Sequence, residues 1–234
     1  MNARQRPTLD AEDVAIVLIG DFNPMIFQPA WFALEGLIRK SEAEDAHVEI
    51  IHHDIASFRL DWLSVDVLPD RFTARIRSEA FRTQLRDLVV GAFSKLPHTP
   101  TRQLGINLTQ RYRFATDAEW HKFGHYLAPK SPWSHLLENP GMLGLHVKGT
   151  RPDQEPGHVV VSVEPIRPGF ASLRVNDHFE QATDTDQDHP TATPRFVEQI
   201  AADFEASLQR ADQIIDGLLT GFMAQQDFDD GTHD

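Results

Sequence analysis

The chain has 234 residues, with 35 Asp+Glu against 22 Lys+Arg, and so carries a formal net charge of −13. Its 41% apolar and 24% charged residues are those of a globular protein and exclude a disordered or fibrous chain. The absence of cysteine excludes disulfides, thiolate zinc sites, iron–sulfur ligation and a catalytic thiol together.

The acidity is uneven. Residues 183–234 hold twelve acids and two Arg, a net of −10, whereas the body before them is nearly neutral. The first apolar run, residues 14–19, is too short for a secretion signal or for a membrane helix, which needs about 20 apolar residues. A cytoplasmic protein with no membrane partner is the expectation.

In chain order, the β-branched run over 14–19 reads as a buried strand ended by a turn at 20–24. Pro29 opens a helix over 30–40, with Trp31, Leu34, Leu37 and Ile38 on one stripe. Strands follow at 47–54, 58–67 and 72–77, the last two joined by a Pro-Asp turn. A second helix spans 80–96, with Phe81, Leu85, Leu88, Val89, Ala92 and Phe93 at helical spacing. Residues 104–114 alternate as a half-buried antiparallel strand.

Asp117 is expected to cap a third helix of about ten residues, followed by a Pro/Trp-rich connection over 129–140. Three more strands occupy 142–148, 158–164 and 171–178, with Leu143, Leu145 and Val147 pointing inward on the first. A Thr/Asp/Pro-rich stretch, about 183–193, reads as a disordered loop. A closing helix over 195–225 presents Phe196, Ile200, Phe204, Leu208, Ala211, Ile215, Leu218 and Phe222 on one stripe.

This order predicts an α+β fold with an extended antiparallel sheet covered by helices and a long C-terminal helix. The pattern β-α-β-β-β-α runs twice, which suggests an internal duplication with pseudo-halves at about 13–97 and 102–226. A single domain over 1–226 would then carry an acidic tail at 227–234.

No Gly-rich phosphate loop and no Gly-x-Ser-x-Gly elbow is present. His52 and Asp54 share one side of a strand end, where a carboxylate can orient an imidazole for acid/base work. They are the candidate catalytic pair. His121 and His125 lie one helical turn apart and are the candidate metal ligands, but Lys122 stands where a zincin needs Glu and no third ligand is indicated. Asp184, Asp186 and Asp188 have calcium-loop spacing, but His189 and Arg195 replace the required Gly and Glu. No metal and no cofactor is expected.

A basic surface is the third candidate. Arg71, Thr73, Arg75 and Arg77 alternate with apolar residues on one strand, and Arg111 and Arg113 project with Asn107 and Thr109 from another. If these strands neighbour, an arginine-rich face results that could bind phosphates or carboxylates. Interleaved aromatics for base stacking are missing, so nucleic acid is not the favoured partner. Opposite potentials attract, so the closing helix is expected to dock by its Phe196–Phe222 stripe on apolar sheet or helix surface while its acidic tail competes with anionic ligands for the Arg face.

From about 59 to 223 the layout resembles a sporadically distributed family of uncharacterised bacterial cytosolic α+β proteins, carried by Gln103-Leu104-Gly105-Ile106-Asn107 and Gly221-Phe222. The chain departs by having Gln103 where that family tends to have Arg, and by a shorter Gly-to-Asn spacing. The resemblance implies no activity and no site residues. The functional expectation is therefore a non-catalytic accessory or regulatory protein, working through a protein partner or self-association. The alternatives are a small hydrolase-like enzyme using His52 and Asp54, or an anion or nucleic-acid binder using the Arg face.

Overall fold

The computed structural model describes residues 5–153, 155–166, 169–180 and 193–231, with side chains as far as residue 225. Nine strands form one antiparallel sheet: β1 (Thr8–Gly20), β2 (His47–His52), β3 (Ile55–Arg59), β4 (Ser64–Leu68), β5 (Arg71–Ile76), β6 (Thr101–Arg113), β7 (Leu145–Thr150), β8 (Gly157–Ile166) and β9 (Phe170–Glu180). The order across the sheet is β2-β3-β4-β5-β1-β6-β9-β8-β7. The helices are α1 (Pro29–Leu34), α2 (Lys40–Glu44), α3 (Arg82–Lys95), α4 (Asp117–Leu127) and α5 (Thr193–Gly231).

The two longest strands, β1 and β6, pair at the centre, and each is the first strand of its half of the chain. A meander then returns from the edge until its last strand, β5 or β9, lies against that first strand. Each half closes with a helix laid over the same face. α3 packs on β5 and β1, α5 packs on β6 and β9, and the two helices pack on each other.

Alternation decides what the helices bury. Ile16, Ala74, Ile106 and Val175 lie on the covered side, as do Leu18, Phe72, Leu104 and Leu173, and all are buried. On α5 the buried stripe runs Phe196, Ile200, Phe204, Leu208, Ala211, Ile215, Leu219 and Phe222. Leu219 takes the place expected of Leu218, which is only partly buried. Each half also has its own aromatic cluster: Phe22, Phe27, Phe72 and Phe93 in the first, Phe114, Phe123, Tyr126 and Phe222 in the second. Truncating a buried Phe of this kind costs about 3–5 kcal/mol.

Several elements differ from their sequence-based expectation. The helix over 30–40 is broken: α1 ends at Leu34, and Gly36 turns the chain in the left-handed region (φ 72°) before α2. Leu34 is consequently exposed rather than on a buried stripe. The strand over 58–67 is two strands, because the Leu60 amide donates to the Leu63 carbonyl and turns the chain back on itself. The first half therefore has four strands after its helices where the second has three. Thr116, not Asp117, caps α4 by accepting from the Glu119 amide.

Thr193 is buried and hydrogen-bonded to Thr101 and to the Thr99 carbonyl, so α5 begins inside the stretch expected to be a loop. Residues 181–192, which contain the rest of that loop and the Asp184/Asp186/Asp188 spacing, lie outside the described residues. The helical backbone runs on to Gly231, into the segment read as a tail. Among the described residues, no helix is long and apolar enough to cross a membrane.

Candidate functional site

His52 and Asp54 stand at the tip of the β2–β3 hairpin, with His52 Nδ1 3.6 Å and His53 Nε2 2.8 Å from Asp54 Oδ2. The pair is close, but all three side chains are exposed. A hairpin tip supplies no walls to hold a substrate or exclude water. His121 and His125 share α4, where burial and then Lys130 hold the His125 ring below its ordinary range. Among the described residues no third donor joins them; the three-donor groups are His52/His53/Asp54 and His158/His178/Glu180.

The Arg face is not built as the sequence suggested. β5 and β6 are not neighbours, because β1 lies between them and pairs with both. Arg75 is separated from Asn107 by Ala15. Two of the five cations are also matched by acids: Arg77 faces Asp13 at 3.6 Å and Arg111 faces Asp10 at 2.5 Å. Among the described residues, no carboxylate lies within ion-pair range of Arg71, Arg75 or Arg113.

The closing helix docks by its apolar stripe, as expected, and the side chains of the acidic tail lie outside the described residues. α5 covers the opposite side of the sheet, where its acids meet other bases: Asp216 pairs with Arg6 at 2.5 Å, and Asp212 lies 3.9 Å from Arg82. Arg82 itself is largely buried and donates to Glu12 at 2.6 Å, so it is not a solvated cation.

A second ionic group sits deep under α5. Asp177 projects from β9 toward the helix, accepts from Ser207 Oγ at 2.7 Å, and pairs with Arg151 and Arg210. The Arg151 guanidinium lies over the Phe179 ring at 3.7 Å and also holds Asp153. Burial alone would raise the Asp153 carboxyl, but the hydrogen bond from Arg151 holds it below the usual carboxylate range.

The most exposed apolar surface is at the β7 edge. Trp133 (53% exposed), Leu136 (65%), Leu137 (55%), Leu143 (94%) and Val147 (52%) lie on the connection into β7 and on the strand itself. The expectation that Leu143 and Val147 point inward is corrected here. Leu143 lies before the strand begins. Val147 does occupy the helix-covered side, opposite Val161, but the outermost strand is left open to solvent. Beside it a cleft of about 460 Å³ opens between α4 and the sheet, lined by Trp120, His121, Phe123, Met142, Leu143 and Pro165. The Trp120 indole donates to the Phe170 carbonyl at 3.0 Å and fixes α4 beside this cleft.

Compared with known proteins, the chain matches no family model, and no curated protein is similar to it.

Proposed function

We propose that the protein is a non-catalytic accessory or regulatory component that binds a partner protein along the β7 edge and the apolar surface leading into it. The observation that carries this reading is the run of exposed apolar residues Trp133, Leu136, Leu137 and Leu143 along the connection into β7, with Val147 on the strand itself, which is the outermost of the sheet among the described residues. Large exposed apolar groups gathered in one place mark interaction surfaces, whereas scattered ones do not. The open edge offers backbone donors and acceptors to an incoming strand, and the neighbouring apolar groups supply selectivity. Lys148, central on β7, guards the edge against indiscriminate pairing.

The test is affinity capture from native-host extract with the wild type and with Leu136→Glu/Leu143→Glu. Loss of a specific protein from the variant's capture supports the reading. An unchanged set of captured proteins removes it.

A hydrolase-like site at His52 and Asp54 is the weaker reading, since it has no cleft. The Arg face as an anion site rests on Arg71, Arg75 and Arg113. We further propose a cytoplasmic setting and an origin by internal duplication. The latter is supported by the repeated path of first strand, helix, returning meander and covering helix. Membership of the resembling bacterial family remains a proposal of the same kind. Its support is the sequence resemblance carried by residues 103–107 and by Gly221-Phe222.

A further inference from the structure

We propose that His158, His178 and Glu180 form a binding site for a divalent transition-metal ion of the zinc class. The site lies on the sheet face away from α5, across β8 and β9. His158 and His178 are direct cross-strand partners, so their side chains leave the same face, and Glu180 follows two residues later on that face. The two imidazole rings are 4.4 Å apart between centroids. Glu180 Oε1 lies 3.2 Å from His158 Nδ1 and 3.4 Å from His178 Nε2.

Those two separations are close to the ones a metal requires. Zinc bonds of about 2.0–2.2 Å in tetrahedral geometry place neighbouring donor atoms roughly 3.3–3.6 Å apart. All three donor atoms lie within 4.8 Å of one another, so one ion can reach them with small side-chain adjustments. Two imidazoles and one carboxylate form a borderline set suited to Zn²⁺, Co²⁺ or Ni²⁺ rather than to Mg²⁺ or Ca²⁺. Three protein donors leave the fourth tetrahedral position to water or to a donor from a bound partner.

The backbone holds the histidines in place. Gly157, with φ 141°, opens β8 immediately before His158, and a Cβ there would lie 1.9 Å from the His178 carbonyl oxygen. Only glycine lets the two strands close at this point. The three side chains are half-buried, so less side-chain entropy is lost on metal binding than at an exposed site. The His52/His53/Asp54 group is exposed at a hairpin tip and lacks this support. Burial and then His158 disfavour positive charge at His178, and Glu180 opposes them.

The experiment titrates metal-free full-length protein with Zn²⁺ by calorimetry and with Co²⁺ by visible absorption. The expected result is one ion per chain, with the intense bands of tetrahedral Co²⁺ that Zn²⁺ abolishes. His158→Gln and His178→Gln should each weaken binding by more than the roughly 10–100-fold cost of losing an outer hydrogen-bond partner. Glu180→Gln removes no buried packing, so it serves as the second variant should either His variant fail to fold; it should also weaken Co²⁺ binding. His52→Gln/His53→Gln should bind as the wild type does. Unchanged affinity in Glu180→Gln and in a folded His178→Gln would overturn the proposal, as would the absence of tetrahedral Co²⁺ bands in the wild type.

Discussion

Arg151 and Asp177 form an ion pair whose two side chains are each only 1% exposed, held between the sheet and the closing helix. Asp177 is also the meeting point of Arg210 and Ser207, both from α5. A pair so placed ties the segment after β7 to β9 and α5 at once. Removing Asp177 leaves the buried Arg151 with only the partly exposed Asp153 to compensate it, and breaking a buried pair in this way costs about 3–5 kcal/mol. Asp177→Ala should lower the stability of the folded chain by that amount, read as a shifted urea midpoint with an unchanged slope. A loss below about 1 kcal/mol would mean that water reaches Arg151.

Leu136→Glu and Leu143→Glu act on side chains that are already in solvent. Their effect on stability should stay within about ±0.5 kcal/mol, as for surface substitutions generally. Partner capture, by contrast, should fall. Thermal melts run beside the capture experiment separate the two effects, and a collapse in stability would place these leucines in packing that their exposure denies.

Polyanion binding, where it occurs at low salt, should depend on Arg71 and Arg75. Arg77 and Arg111 already face Asp13 and Asp10. Heparin retention should therefore drop for Arg71→Ala/Arg75→Ala and change little for Arg77→Ala or Arg111→Ala. Raising the salt should erase the difference, since screening acts over about 10 Å at 0.1 M. Equal loss in all three variants would show that the acids do not neutralise their partners.

Burial pushes the Asp212 carboxyl up, with Arg82 opposing the shift and Glu12 adding to it. A carboxyl with a native pKa above its unfolded value of 3.8 binds more protons when folded. Its ionisation therefore removes stability as pH rises through that window. Asp212→Asn keeps the ability to accept from Gln110, which now donates to Asp212 at 2.9 Å. The variant should gain stability relative to the wild type as pH rises from below 3.8 toward neutrality. Denaturation curves at acid and neutral pH check this, and a difference independent of pH would assign the effect to packing instead.

The amino-acid sequence by itself determined which residues form strands and helices in the interior. Period-two alternation over β6 and period-3.6 spacing on α3 and α5 are local properties, and they placed Leu104, Ile106, Val89, Phe93, Phe204 and Ile215 in the core. Breaks were harder to read. Gly36 and the Leu60–Leu63 turn lie within apolar stretches whose periodicity continues across them. Of the strand pairing, the hairpin closed by the Pro-Asp turn was legible, but the order across the sheet was not. It takes the assembled sheet to put β1 between the two Arg-bearing strands, to leave Val147 on an outer strand, and to set His158 opposite His178 twenty residues away. Side-chain period is a consequence of backbone geometry within one strand, whereas register and neighbour order depend on how distant segments jointly bury their apolar faces. Only the tertiary structure decides those, and the candidate sites depend on them.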